Sequence, residues 1–461
     1  MQDPNRRPPL FNSRQRIILW LACSAVFFEA FDVSIVNLAL PAIGKDFHVP
    51  LASAQWVQTL YLIAFGGFLL PGGRLCDHAG SRRIFLIGMF VFGASSALAF
   101  ISHSFPLLLL ARASQGIGAA LAIPGSISLL SRYFSEGSQR QNAIGTFGAF
   151  AAVGFAGGLA GGGLIASVLD WHWIFGVNVP VLLPVWLAGY FLIPREEVLA
   201  KGSLNLLKAS WLTATLLLIC YTIHQLPLLG RTLWPCLLTA LLSGALFLMD
   251  DRRQRRPFFS RGLYPSGHGY RALAASSILG ACFLGFIFLV TAGFYQVLQW
   301  DARATGLLFF PYSIASAGVS RFLLPVLFKR LGIAGVAQLS LVLLLAGILL
   351  LLTGIGTGQL VYFLLALFLV NSLAIAIGYP ALSILSLSDV PTDRQGIAAG
   401  LQAAIYTTGT GVGLSLIGLC LLSVTEGPMA LGLSLPCMVM ALLSAFGVLL
   451  LAAKGSGRSG V

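Results

Sequence analysis

Charge is the property this sequence has least of. Only 9% of its 461 residues are Asp, Glu, Lys or Arg, 57% are hydrophobic, and the mean hydropathy is +0.89. A soluble domain carries roughly 25% charged residues to cover its surface. Hydrocarbon requires no such shell, so the composition excludes an ordinary soluble fold and points to a chain solvated by lipid. Material for metal and disulfide chemistry is equally scarce. The seven cysteines stand singly, without a CxxC pair or a Cys/His cluster, and the six histidines are scattered. Neither a zinc site nor a disulfide framework is implied. No basic stripe interleaved with aromatics is present either. The formal charge of +13 comes from Lys and Arg in short gaps between apolar runs, which argues against nucleic acid. The glycine runs at Gly116–Gly118 and Gly161–Gly163 follow no strand and precede no P-loop lysine, so nucleotide hydrolysis has no visible machinery. A cleavable leader is not expected, because the first apolar run, 17–40, is too long and contains Glu29 and Asp32. Neither a cofactor nor an obligate protein partner is expected.

What the chain has instead is apolar length. About 20 helical residues cross ~30 Å of hydrocarbon. On that scale the sequence predicts an all-α integral membrane fold with spans near 14–41, 52–72, 83–102, 105–132, 140–168, 173–193, 208–225, 231–250, 271–298, 303–328, 332–354, 358–387, 395–423 and 428–453. The seventh and eighth are interrupted by Pro227 and Pro235. With both termini in the cytoplasm, 23 of the 28 Lys and Arg fall on the cytoplasmic side, three (Lys45, Arg231, Arg303) fall opposite, and Arg112 and Arg321 lie inside spans. That positive-inside asymmetry requires an even number of spans, fourteen or twelve.

Two short matches indicate an internal repeat. Leu75, Asp77 and Gly80 are echoed by Leu327, Lys329 and Gly332 at an offset of 252, and Arg140-Gln141 by Arg394-Gln395 at 254. The expected organisation is an N-terminal six-helix bundle, 1–195, two inserted helices within 196–265, a C-terminal six-helix bundle, 266–453, and a polar tail, 454–461, expected to be disordered. Parallel six-helix repeats are a known transporter plan.

Several stretches carry a family likeness. GRLCDHAGSRR, from Gly73 to Arg83, resembles motif A of the major facilitator superfamily, although Ser81 stands where a basic residue is usual. RASQGIG, from Arg112 to Gly118, resembles its motif B, and Gln55, Trp56 and Tyr61 add to the likeness. DVSIVNLALP (Asp32 to Pro41) and WHWIFGVNVP (Trp171 to Pro180) are similar to the fourteen-helix drug:proton antiporter branch. The likeness is dense over 29–180 and thinner afterwards, with Gly400 to Gly413 its best later patch. It implies two six-helix bundles, alternating access and a conformational role for Gly73, Asp77, Gly80, Arg82 and Arg83. In one respect the chain departs from the pattern. The Gly-rich stretch GFAGGLAGGG, from Gly154 to Gly163, lacks the proline usual in motif C, though its glycines still permit close helix packing.

Ionisable residues inside hydrocarbon cost roughly 2.5–3.5 kcal/mol or more, so each is a functional candidate. Glu29 and Asp32 are three apart and share a helix face. By helical rise Glu29 lies about 20 Å from the cytoplasmic end of its span, and Asp32 and Arg112 lie roughly 12 and 10 Å from the opposite surface. If spans one and four line a common cavity, as the resemblance implies, the three could form a switchable cluster. Desolvation and a nearby cation act on a carboxyl in opposite senses, and their balance sets where it exchanges a proton. Asp32 is expected to be the main proton carrier, Arg112 its tuning partner, and Glu29 a second carrier or a contact for cationic substrates. The bland alternative is that Asp32 only anchors its span to Arg112. Arg321 is expected to snorkel toward the cytoplasm. The substrate path is expected to draw on Asn37, Gln58, Tyr61 and Gln115 in the first half. In the second half the candidates are Tyr295, Gln296, Gln299, Asn371, Tyr379, Gln402 and Tyr406, each equally able to be an interhelical hydrogen bond.

The expected function is secondary active transport: export of amphipathic, drug-like or metabolite compounds in exchange for protons. The partners are a small-molecule substrate, protons and the bilayer, with a bacterial cytoplasmic (inner) membrane as the location and the proton gradient as energy source. The missing proline keeps open a proton-coupled or facilitative transporter of one specific metabolite or lipid. An integral-membrane enzyme is a second alternative, although only Glu29 and Asp32 cluster.

Overall fold

A computed structural model describes residues 11–134, 138–195, 206–224, 233–253, 267–388, 390, 395–423 and 429–452. Among them the regular structure is entirely helical. The first half of the chain runs α1 (Ser13–Asp46), α2 (Leu51–Ala54), α3 (Trp56–Ala79), α4 (Ser81–Phe100), α5 (Phe105–Tyr133), α6 (Ser138–Val168), α7 (Trp173–Gly176) and α8 (Asn178–Leu192). Two helices follow, α9 (Leu206–His224) and α10 (Leu233–Arg253). The remainder is α11 (Gly267–Gln296), α12 (Ala302–Gly318), α13 (Leu324–Thr357), α14 (Leu360–Leu367), α15 (Ile375–Leu387), α16 (Gln395–Ser423) and α17 (Met429–Ala452). Segments of π-helix, Val319–Leu323 and Phe368–Ala374, join α12 to α13 and α14 to α15.

Local chemistry sets several ends. The Asn12 side chain accepts the Gln15 amide at 2.8 Å while Gln15 Oε1 accepts the Asn12 amide at 3.0 Å, a reciprocal cap that starts α1. Asp301 caps α12 by accepting the Ala304 amide at 2.7 Å. Gly80, at φ 88° and ψ 140°, separates α3 from α4, a conformation that a side chain would strain. Pro235 sits in the first turn of α10, where a missing amide hydrogen costs little. Pro227 and the tail 454–461 lie outside the described residues, as do 196–205, 225–232 and 254–266 of the segment between the expected bundles.

Twelve helices among the described residues are long and apolar enough to cross a membrane, against the fourteen expected. Two features account for the difference. Arg303–Thr357 is continuous over 55 residues and counts once. At 1.5 Å per residue it is about 80 Å long, far more than a ~30 Å core. It is kinked at Gly332, whose φ of 69° and ψ of 172° are not helical. The second feature is α9, whose apolar stretch, Ser210–Ile223, falls short in length.

Burial is inverted relative to a soluble protein. Trp20, Phe191, Phe322 and Leu442 are 63–75% exposed on the outer surface, while Asp32 and Arg112 are 0% exposed inside. Such an apolar exterior is what lipid solvates, and the chain is an integral membrane protein. Inside, α1 lies along α6 and beside α5, and α5 is flanked by α3 and α4. In the second half α11 packs on α16, α17 and α15, and α13 on α17 and α15. The two sets meet through α6 with α12, α3 with α16 and, more lightly, α1 with α11. Helix α9 rests on α3 and α16, and α10 packs mainly on α9.

Glycine makes the α1–α6 contact close. A Cβ on Gly154 would overlap the Phe27 carbonyl, and one on Gly158 would overlap both the Ser34 hydroxyl and the Phe31 carbonyl. One on Gly162 would lie 2.9 Å from the Ile35 side chain. These glycines recur every four residues, so they form one stripe along α6. The helix has no proline and continues unbroken through the stripe.

Candidate functional site

Helix α5 places Arg112 and Gln115 three residues apart, on one face, opposite Asp32 of α1. Arg112 Nη1 donates to Asp32 Oδ2 at 2.5 Å and to Gln115 Oε1 at 2.6 Å, and its Nε donates to the Val57 carbonyl of α3 at 2.9 Å. Gln115 Nε2 donates to Asp32 Oδ1 at 2.7 Å and to Ser96 Oγ of α4 at 2.9 Å. Asn178, the first residue of α8, adds a longer donation to Asp32 Oδ1 at 3.3 Å. The carboxylate therefore accepts from three side chains on two other helices. The guanidinium also lies over aromatic faces, 4.3 Å from the Tyr61 ring centre and 5.6 Å from that of Phe175. Asp32, Ser96, Arg112, Gln115, Tyr61, Phe175 and Asn178 are all 0% exposed.

A buried ion pair survives only when hydrogen bonds satisfy its remaining lone pairs and protons. Here the balance is nearly but not fully met: Arg112 Nη2, the Tyr61 hydroxyl and Asn178 Oδ1 have no hydrogen-bond partner among the described residues. The pair is thus a charge-neutral unit in which one proton on Asp32 would leave an arginine held by neutral groups alone.

Helices α1, α3, α4, α5 and α8 converge on a single buried carboxylate–guanidinium pair, and a family model for the Major Facilitator Superfamily matches residues 22–414, most of the chain. The chain belongs to the Major Facilitator Superfamily. This facilitator is 31% identical to the lincomycin resistance protein of Streptomyces lincolnensis, over 84% of its own length and 80% of that protein. It is 35% identical to the cephamycin export protein CmcT of Amycolatopsis lactamdurans, over 68% of its length and 65% of that protein. The multidrug resistance protein Stp of Mycobacterium tuberculosis is 28% identical over 88% and 76%. Among solved structures, a POT family transporter in complex with 5-aminolevulinic acid superposes with a TM-score of 0.68 at 12% identity, covering 93% of this chain and 94% of that one. An inward-facing bacterial homologue of the human lysosomal transporter Spinster gives 0.66 at 14% identity, covering 96% and 97%. At such identities the superpositions speak for the fold. Membership makes this facilitator a transporter and not an enzyme.

The other residues singled out from sequence separate into groups. Tyr61 and Gln115, expected on the substrate path, lie against the ion pair. Gln58 Nε2 donates to the Val33 carbonyl at 2.9 Å and Asn37 Nδ2 to the same carbonyl at 3.2 Å, both buried. Glu29 is half-buried and makes no hydrogen bond or ion pair among the described residues. It lies within electrostatic reach of Tyr379 on α15 and Tyr406 on α16, whose rings meet edge-on at 4.9 Å. Tyr295 donates its hydroxyl to the Leu38 carbonyl at 3.3 Å, bridging α11 to α1. Gln296 is partly exposed at the end of α11. Gln299 is exposed at a turn, with φ 56°, and bonds the Gln296 carbonyl. Gln402 is buried and donates to Ser276 Oγ at 2.9 Å, a helix–helix bond. Asn371 is buried in a π-helical segment, its Nδ2 without a hydrogen-bond partner among the described residues. Arg321 is exposed over the Phe322 ring at 5.9 Å.

In the motif A stretch, Gly80 forms the turn, and a Cβ on Gly73 would meet open space. Arg82 donates to the Tyr190 carbonyl at 2.6 Å, Arg83 is exposed, and the Asp77 side chain lies outside what is described. Ser96, Asn178 and Phe175 are the members of the network that sequence reasoning did not assign. Asn178 lay within a recognised stretch, but a neutral amide there gave no sign that it faces a carboxylate.

Proposed function

We propose that this facilitator exports amphipathic drug-like or metabolite compounds in exchange for protons, with Asp32 as the proton carrier and Arg112 as its counter-ion. One observation carries the reading: a wholly buried Asp32–Arg112 pair at 2.5 Å, with both acceptor oxygens of the acid engaged. Removing one charge of such a pair costs about 3–5 kcal/mol, because the partner stays buried and uncompensated. Protonation of Asp32 imposes that cost on the present arrangement of α1 against α5. It favours a conformation in which Arg112 finds new acceptors. Release of the proton on the other side restores the pair, and alternation between the two states carries substrate. The names of the relatives, antibiotic resistance and export proteins of bacteria, support export as the direction and antibiotic-like compounds as the cargo. They also support the bacterial cytoplasmic membrane as the location, and the 23 to 3 distribution of Lys and Arg supports cytoplasmic termini.

Fourteen spans fit this topology. The 55-residue stretch kinked at Gly332 supplies two crossings, and α9, 19 residues long overall, supplies one beyond the twelve. The division into bundles 1–195 and 266–453 with α9 and α10 between them is supported by backbone that repeats at nearly the same offset. His48 and Gln299, the non-glycine residues at positive φ among those described, are 251 positions apart, and Gly80 and Gly332 are 252 apart.

Reconstitution in liposomes with Asp32→Asn tests the reading. Wild type is expected to accumulate substrate uphill when a pH gradient is imposed, and the variant only to equilibrate it. Undiminished uphill transport by the variant would overturn the assignment. The unbroken, proline-free α6 favours a second reading, facilitated passage of one metabolite or lipid. Wild-type transport that ignores the pH gradient would select it.

A further inference from the structure

We propose that a pocket on the outer face of α4 and α8 binds the phosphate of an anionic phospholipid. The pocket, about 680 Å³, is lined at one end by Arg82, Arg83 and Arg195. Its other wall is apolar, formed by Leu86, Ile87, Phe90 and Trp186. Phe90 lies two turns beyond Arg82 on α4, about 12 Å by helical rise. One end is therefore suited to a headgroup and the other to the first part of an acyl chain.

The basic end is built rather than incidental. The Arg82 guanidinium is fixed by donation of Nη2 to the Tyr190 carbonyl at 2.6 Å and by lying over the Tyr190 ring at 5.5 Å. Its Nε is buried without a hydrogen-bond partner among the described residues. Arg83 and Arg195 are exposed beside it. Among the described residues lining the pocket there is no carboxylate; Glu196 and Glu197, next in sequence to Arg195, lie outside them. Arginine forks match phosphate oxygens in geometry as well as charge. The aromatic wall is equally fixed. Trp186 donates Nε1 to the Leu86 carbonyl at 3.0 Å and stacks on Tyr190 at 5.8 Å. Tyr and Trp of this kind concentrate at the headgroup level of a bilayer.

A free phosphate would satisfy the arginines alone. The apolar wall favours a lipid, because Ile87, Phe90, Leu187, Tyr190 and Phe191 around the pocket are 41–74% exposed on the surface that lipid covers. Basic pockets between transmembrane helices at the membrane surface are a recognised setting for anionic headgroups.

Fluorescence quenching tests this in the full-length chain, reconstituted in phosphatidylcholine with brominated phosphatidylglycerol or brominated phosphatidylcholine. The chain has 8 tryptophans, so the difference between wild type and Trp186→Phe isolates the Trp186 signal. Phosphatidylglycerol is expected to quench that signal at a mole fraction at least tenfold lower than phosphatidylcholine does. Each arginine near an anionic lipid contributes about fivefold, so Arg82→Gln with Arg195→Gln should lower the preference by up to about twenty-five-fold. If the double variant does not elute as a folded protein, Arg195→Gln alone should lower the preference about fivefold. Equal quenching by the two lipids, or a preference undiminished in the variants, would overturn the proposal. Inorganic phosphate at millimolar concentration is expected to leave the signal unchanged. Recovery of fluorescence on its addition would reassign the pocket to a soluble anion and overturn the lipid assignment.

Discussion

The two halves of the chain end their first helices alike. Helix α1 is followed by His48 at φ 54° and α11 by Gln299 at φ 56°; the next turn uses Gly80 at φ 88° in one half and Gly332 at φ 69° in the other. Their charges do not repeat. The residues 251 and 252 positions after Asp32 are Phe283 and Leu284, 6% and 2% exposed within α11, and those 252–254 positions after Arg112 are Leu364, Leu365 and Ala366. Conversely, the π-helical segments described both lie in the second half, one of them holding the buried Asn371. Extra residues of this kind often mark functional sites in helices. Matching turns with unmatched charges fit a scaffold duplicated for its motion, in which the proposed proton chemistry was kept on one side. The other side faces the first with neutral and aromatic groups, Tyr379 and Tyr406 among them.

The largest effect is expected from unpairing the buried charges. Arg112→Leu should destabilise the protein by about 3–5 kcal/mol, since it strands Asp32, and should abolish uphill transport. Adding Asp32→Asn to Arg112→Gln removes both charges. Thermal unfolding in detergent should then return close to wild type while pH-driven accumulation stays lost. A double variant that still pumps uphill would show that the asymmetry of charge has nothing to do with energy coupling.

Next in size is the reverse substitution. Leu284→Asp places an acid at the repeated position with no cation across from it. It should cost roughly 2.5–3.5 kcal/mol. Combined with Asp32→Asn, it should not restore coupling. Recovered uphill transport in that combination would mean that the halves are interchangeable.

Close packing on the charged side gives a smaller effect. Gly158→Val drives a side chain into Ser34 and Phe31 of α1 and should cost about 1–3 kcal/mol by overpacking. Gly145, on the same helix with open space around it, is a matched control. Gly145→Ala should be neutral or stabilise by up to about 1 kcal/mol through helix propensity. Equal effects at both positions, read from thermal unfolding, would deny the stripe its role in seating α1.

How much of this was legible in the sequence depends on which coordinate is asked for. Depth along a helix was readable: Asp32 and Arg112 were placed at matching depth by helical rise, and they meet. Their charge made them conspicuous, because an ion in hydrocarbon is costly wherever it points. Direction around the helix axis was not readable for neutral groups. Gln115 and Tyr61 turn toward the ion pair, Gln402 makes the interhelical bond to Ser276 that was its equal alternative to the substrate path, and Gln299 sits on an exposed turn. Ser96 passed unnoticed because a hydroxyl in a helix can always bond its own backbone, here the Phe92 carbonyl at 2.9 Å. Glu29, grouped with Asp32 on one face, is within electrostatic reach of both Asp32 and Tyr61. No hydrogen bond among the described residues ties it into the network, and its charge also reaches Tyr379 of α15 and Tyr406 of α16.

Its lack of a hydrogen bond among the described residues makes Glu29→Gln the most discriminating of the mild substitutions. Glu29 is half-buried and unbonded among the described residues, so losing its charge should not destabilise the protein and should stabilise it by up to about 2.5 kcal/mol. Its charge reaches across to Tyr379 and Tyr406 of the other half, so a cationic substrate there could meet a carboxylate and aromatic rings together. Transport of a monocationic compound should therefore fall about tenfold, equivalent to about 1.4 kcal/mol of binding, while a neutral compound of similar size is carried as before. If Glu29 instead carries a second proton, both compounds should lose steady-state accumulation at a fixed pH gradient, whatever their charge. A paired assay with one cationic and one neutral compound separates the two roles. Unchanged transport of both would exclude both roles for Glu29 and leave Asp32 as the candidate carrier within the span of α1.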